Sequence, residues 1–158
     1  KSHTAILFDS PLKDTDERLY AKEVLAKFMR RAFRRPVEAG EVEKKLALFD
    51  RVRKEKPSFV EAIKVPLTAV LASPNFLYLA EPAPADATGP RPLTDHELAS
   101  RLSYFLWSSM PDEALQKLAE SGKLRDKATL AKEVDRMLAD PKADALVKNF
   151  AGQWLGLR

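Results

Sequence analysis

Apolar residues recur at intervals of three and four along most of this chain, and alternation of the kind a half-buried strand requires is nearly absent. A sequence patterned this way folds as helices packed on one another, so the expected class is all-α, with about seven helices in two packed helical units.

Proline and capping residues divide the pattern. The first helix starts near Asp14 or Thr15 and runs to Phe33 or Arg34, with Ala21, Leu25, Phe28 and Ala32 on one face, and Pro36 ends it. A second helix reaches about Lys54 with Val42, Leu46, Phe49 and Val52 or Arg53 on its stripe, and is closed by Pro57. Ser58 and Glu61 form a capping box for a third, carrying Ile63, Leu67, Val70 and Leu71, with Pro66 expected to kink it. Ser73-Pro74-Asn75 stops that helix, and Phe76–Leu79 make a short apolar exit. Residues 1–80 thus read as a three-helix unit.

Residues 81–92, EPAPADATGPRP, hold four prolines and one glycine and read as a linker. Residues 93–158 read as a four-helix unit. Thr94 and Glu97 box the fourth helix, whose face is Leu98, Leu102, Phe105 and Leu106. Pro111 fits the first turn of a fifth, ending at Gly122. Asp126 caps a sixth with Leu130, Val134, Met137 and Leu138, and Asp140-Pro141 opens a seventh with Ala143, Leu146, Val147, Phe150, Ala151 and Trp154 on one stripe. Lys1-Ser2-His3 and Gly156-Leu157-Arg158 read as cut ends of a longer protein.

At 158 residues the chain is long enough to bury roughly 70% of its unfolded surface, and 45% hydrophobic with 32% charged residues is an ordinary globular balance. No apolar run approaches the roughly 18 residues of a membrane span. The absence of cysteine excludes disulfides, thiolate zinc sites, thiol nucleophiles and covalent haem attachment within these residues. Phosphate-binding glycine loops, HExxH, GxSxG and CxxCH are absent, so no cofactor is expected in this segment.

The sharpest charged feature is a stripe at helical spacing, Lys27, Arg30, Arg31 and Arg34, extended by Arg35. It suits phosphate, nucleic acid or an acidic surface. It also suits the negative end of a helix dipole and intramolecular carboxylates. Without interleaved aromatics for base stacking, the intramolecular reading is preferred and nucleic acid is a distant alternative. His3 and His96 lack convergent partners, and most carboxylates lie where helix starts favour them. Tyr104, Phe105, Trp107, Phe150 and Trp154 concentrate aromatics in the second half and read as core anchors. The alternative is a pocket gathering Arg101, Tyr104, Asp112 and Trp154.

Two pairs of segments carry a resemblance. FMRRAFRRPV (residues 28–37) and AVLASPNFLY (69–78) resemble an uncharacterised helical domain family of planctomycetes. LTDHELASRLSYFLWSSMPDEAL from Leu93 and RMLADPKADALVKNFAGQWLGL from Arg136 resemble its usual C-terminal neighbour. The resemblance spans about Asp16 to Arg158. It implies a large exported protein, periplasmic or in the cell envelope, with c-type cytochrome-like domains, and hence haem, elsewhere in the chain. It carries no activity onto any residue. The expected function is therefore unknown chemically: a helical structural or interaction module whose partners are other domains of the same chain. The alternative is part of an oxidoreductase or polysaccharide-acting domain with an unknown small-molecule ligand.

Overall fold

Helix starts in this protein are fixed by side chains that accept the first free backbone N–H groups, and the structure, a computed structural model, describes residues 3–78 and 89–156. Residues 79–88, which include most of the 81–92 linker, and the last residues Leu157 and Arg158 lie outside the described residues, as do the side chains of His3 and Thr4. The protein is all-α: among the described residues no strand occurs. It divides into two compact units, residues 1–80 and 81–158, each described by itself.

In the first unit a single turn, α1 (His3–Ile6), precedes α2 (Glu17–Phe33). The Asp16 carboxylate accepts the Leu19 N–H at 2.9 Å and sets the start of α2. The start falls after Asp14 and Thr15 because the N–H groups of Thr15 and Asp16 bond the Leu12 carbonyl in a separate turn. α3 (Ala39–Arg53) follows, then α4 (Phe59–Leu71), capped by Ser58 at 3.3 Å from the Glu61 N–H, and the short α5 (Pro74–Leu77) capped by Ser73. α4 passes through Pro66, whose ring is buried.

The stripes expected from the sequence meet in one core: Tyr20, Ala21, Val24, Leu25 and Met29 of α2, Val42, Leu46 and Phe49 of α3, and Ala62, Ile63 and Val70 of α4. Each such large side chain contributes about 1.5–3 kcal/mol by leaving water. Phe59 stacks on Tyr20 at 5.1 Å between ring centres and meets Phe49 edge-on at 5.6 Å. Phe28 is half-buried against this core, whereas Leu71 is exposed. On the surface Arg18–Asp50, Lys22–Glu43 and Arg53–Glu17 join α2 to α3. Exposed pairs of this kind contribute about 0–1 kcal/mol each.

The second unit holds α6 (Asp95–Trp107), α7 (Glu113–Glu120) and α8 (Lys127–Ala139). Its core is Ala99, Leu106, Trp107, Leu115, Ala119, Leu124 and Met137. Three expectations need correction here. α7 begins after Asp112, which accepts the Leu115 N–H at 2.9 Å; Pro111 precedes the cap and is buried, so it is outside the first turn. Phe105 and Leu138 are exposed rather than in the core, because α6 turns Ala99, Ser103, Leu106 and Trp107 inward and α8 turns Glu133 and Met137 inward.

The seventh helix is not one regular helix. Asp140 caps a 3₁₀ turn (Pro141–Ala143), a π-helical run (Leu146–Ala151) follows, and one helical turn (Gly152–Trp154) ends it. A π register shifts side chains off the 3.6-residue stripe. Ala143 and Leu146 therefore pack against the core while Val147, Phe150 and Trp154 point to solvent.

Candidate functional site

The basic stripe on α2 is broken by the backbone where the helix ends. Arg34 caps α2 in the left-handed region, φ 57° and ψ 25°, which removes its side chain from the helical stripe. The residue is only 9% exposed, and its guanidinium donates to the carbonyls of Asn75, Phe76 and Tyr78, at 2.9 Å for Tyr78. Arg34 thus ties α5 and the strand-like exit after it to the end of α2. Of the apolar exit expected at Phe76–Leu79, Phe76 and Tyr78 are held by their carbonyls and Leu77 and Tyr78 are exposed, while Leu79 lies outside the described residues.

Arg35 points elsewhere. It makes a two-point contact with Glu41, at 2.9 and 2.8 Å, and donates to the Pro36 carbonyl at 2.9 Å. The same Glu41 carboxylate accepts the Glu38 N–H at 3.0 Å, so one arginine, one glutamate and one backbone N–H fasten the start of α3. The hydrogen bond from Arg35 holds the Glu41 carboxyl below its usual range, against the opposing effect of burial. Lys27 lies over the Phe8 ring, 4.0 Å from its centre. Arg30 and Arg31 are exposed on the outer face.

The start of α6 has the same construction: the capping box expected from Thr94 and Glu97 is present, and Arg91, which the sequence reading did not single out, is added to it. Arg91 makes a two-point contact with Glu97 and donates to the Pro92 carbonyl at 3.1 Å. Glu97 accepts the Thr94 N–H at 2.7 Å, and Thr94 accepts the Glu97 N–H at 3.2 Å. The Arg91 hydrogen bond is the main cause that lowers the Glu97 carboxyl to about 2. The signal that could have found it is the pattern R-P-x-x-x-x-E, present at Arg35-Pro36-Glu41 and again at Arg91-Pro92-Glu97.

Of the four residues of the alternative pocket, Asp112 serves the fold. Asp112 accepts from both Nη atoms of Arg136, at 2.9 and 3.1 Å, and from the Leu115 N–H. Burial pushes the Asp112 carboxyl up, but these hydrogen bonds together outweigh it and the net shift is downward. Arg136 also grips Glu133, which is 6% exposed, and lies 5.5 Å from the centre of the Trp107 ring. The pair with Glu133, then that with Asp112, drives the Arg136 guanidinium further up from its usual value. Trp107 donates its ring N–H to the Met137 carbonyl at 2.9 Å, and Lys142 lies 4.3 Å over its face.

Trp154, by contrast, is 76% exposed and stacks on Phe150. Arg101 is exposed, Tyr104 half-buried, and His96 half-buried in the first turn of α6. Asp95 takes a role its position only partly suggested. Buried at 6% exposure, it accepts the backbone N–H of Arg125 at 3.1 Å and its side chain at 2.8 Å, holding the approach to α8.

A cavity of about 530 Å³ opens in the first unit, lined by Leu7, Phe8, Asp9, Asp14, Tyr20 and Phe59 among others. The Tyr20 hydroxyl in its wall donates to the Phe8 carbonyl at 2.9 Å, and burial raises its pKa. Among the described residues no group of three or more His, Cys, Asp or Glu side chains is placed to hold a metal ion. No described helix is long and apolar enough to cross a membrane.

Two family matches cover most of the chain. Residues 20–81 match PSD5, protein of unknown function (DUF1595), and residues 93–158 match PSD4, protein of unknown function (DUF1592). The chain is a tandem of two domains of unknown function. The Arg35–Glu41 fastening lies inside the DUF1595 segment, while Arg91 and Pro92 immediately precede the DUF1592 segment and Glu97 lies within it. No curated protein and no solved structure matches the chain.

Proposed function

We propose that this chain is a helical structural or interaction module of a larger exported bacterial protein that carries cytochrome-like domains, and that its partners are other domains of the same polypeptide. The observation that carries the reading is the use made of the charged side chains. Arg34, Arg35, Arg91, Arg125 and Arg136 each fasten a helix terminus or join two elements within one unit. A catalytic site would instead direct such groups, with shifted titration, toward an open cleft.

The shifts of Glu41, Glu97 and Arg136 come chiefly from these internal partners, which is the signature of structural ion pairs. Exposed large apolar residues, Leu77 and Tyr78 in the first unit and Val147, Phe150, Trp154 and Leu155 in the second, supply contact surface for neighbours.

Lysine cross-linking of the longer protein, followed by mass spectrometry, tests the reading. Reproducible cross-links from this chain to other domains are expected. Cross-links confined to residues within the chain would contradict it. Export is checked by fractionation, with the protein expected in the envelope or periplasmic fraction, and the cytochrome association by the haem absorbance of the purified longer protein.

A further inference from the structure

The segment after Asp140 is patterned for one helical register and folded in another. Ala143, Leu146, Val147, Phe150 and Trp154 stand at the spacing that places them on one side of a regular α-helix. The structure instead winds Leu146–Ala151 as a π-helix, and the Gly152 N–H bonds the Val147 carbonyl five residues back. The Leu155 N–H then bonds the Ala151 carbonyl, four back, as in an α-helix. A π-helix turns about 20° less per residue than an α-helix, so six residues of it rotate everything beyond Ala151 by roughly 110°.

Burial follows this rotation. Ala151 and Gly152, two small residues, are half-buried, whereas Phe150 is 50% and Trp154 76% exposed. Small side chains hold the inner side while large apolar ones lie in water. That inner side is loosely filled: beyond its neighbours along the helix, a Cβ on Gly152 would meet only the Val147 carbonyl oxygen, at 3.7 Å. π-helices are rare and mostly limited to single turns, so this run depends on side-chain contacts to hold it. Two are present. The Asn149 amide donates to the Ser108 hydroxyl at 2.8 Å, and Phe150 meets Phe105 edge-on at 5.5 Å. Both contacts lie at the surface, where water competes with them.

We infer that this segment is a register switch: Leu146–Ala151 exchanges between the π-helical form and a regular α-helical form in which Phe150 and Trp154 swing to the side of Ala143 and Leu146. Those two residues already pack against the core of the second unit. The α form regains the commoner hydrogen-bond pattern and withdraws apolar surface from water. The π form keeps the Asn149–Ser108 and Phe150–Phe105 contacts and leaves the aromatic pair outside. The exchange sets how much apolar surface the second unit presents.

Fluorine NMR of the full chain carrying 5-fluorotryptophan tests the switch. Trp107 is 3% exposed and Trp154 76%, and the variant Trp154→Phe assigns their two signals. Saturation-transfer experiments should reveal, for Trp154, a second state with a smaller shift between H2O and D2O, the mark of a shielded ring. Asn149→Ala removes an exposed contact that holds the π form and should raise the ratio of shielded to exposed state about fivefold. Amide relaxation dispersion over residues 146–155 is the second measurement, and its minor population should change by the same factor. A single Trp154 environment in both proteins overturns the switch. So does a second state as exposed as the first, which is fraying of the segment, or one whose population ignores Asn149→Ala.

Discussion

Replacing Glu97 by glutamine removes the charge that Arg91 grips while keeping a carbonyl oxygen for the Thr94 N–H. Glu97 is well covered, its side chain 12% exposed and that of Arg91 25%. The carboxyl is lowered from 4.5 to about 2, chiefly by the Arg91 contact, and at about 1.36 kcal/mol per unit such a shift corresponds to at most about 3.4 kcal/mol. Screening by nearby water reduces this, so about 1–2 kcal/mol is the expected loss at neutral pH.

The sign follows from linkage. A carboxyl whose folded pKa is depressed stabilises the fold fully above its unfolded value, near 4.5, and the contribution disappears as pH falls toward about 2. Both tryptophans, Trp107 and Trp154, belong to the second unit, so urea unfolding followed by tryptophan fluorescence reports it selectively. Glu97→Gln should lower the unfolding free energy by about 1–2 kcal/mol at pH 7, with the deficit shrinking toward zero between pH 4.5 and pH 2. A deficit that stays constant over that window, or none at pH 7, would refute the reasoning.

Other perturbations follow from the same contacts. Arg136→Gln leaves Glu133 buried without its partner and frees Asp112, so unfolding at pH 7 should be easier by about 3 kcal/mol, seen in the same fluorescence assay. Arg34→Ala removes the donor to three carbonyls, and amide exchange of residues 75–78 should accelerate at least roughly tenfold, corresponding to about 1.4 kcal/mol or more of lost local stability. Gly122→Ala meets no atom within 4 Å but must hold φ at +67°, so a loss of about 1 kcal/mol in urea melts is expected from backbone strain alone.

The helices were legible wherever a single residue fixes their geometry. Ser58, Thr94 and Asp126 each accept an N–H three residues on, and that preference is local; Asp16 and Asp112 cap in the same way, one or two residues after the starts expected at Asp14 or Thr15 and at Pro111. Core stripes were legible on α2, α3 and α4 because three faces meet in one core. They misled on α6 and after Asp140, where the pattern says that a residue is apolar but not whether another element covers it: Phe105, Phe150 and Trp154 are spaced as a buried stripe and remain exposed.

Charge was the least legible. Lys27, Arg30, Arg31, Arg34 and Arg35 share a stripe only while the helix lasts, and the left-handed turn at Arg34 sends its side chain inward. The Arg136–Asp112 and Arg125–Asp95 contacts join positions far apart in sequence, so spacing carried no trace of them. The repeated R-P-x-x-x-x-E pattern, in contrast, was open to a search for internal similarity.

The most direct test of the account is backbone amide exchange on this chain alone and within the longer protein that contains it. A module that docks on neighbouring domains should gain protection in the longer protein at exposed apolar positions such as those around Phe105, Phe150 and Trp154, with the fastened starts of α3 and α6 protected in both. Identical exchange in the two settings would contradict an interaction role.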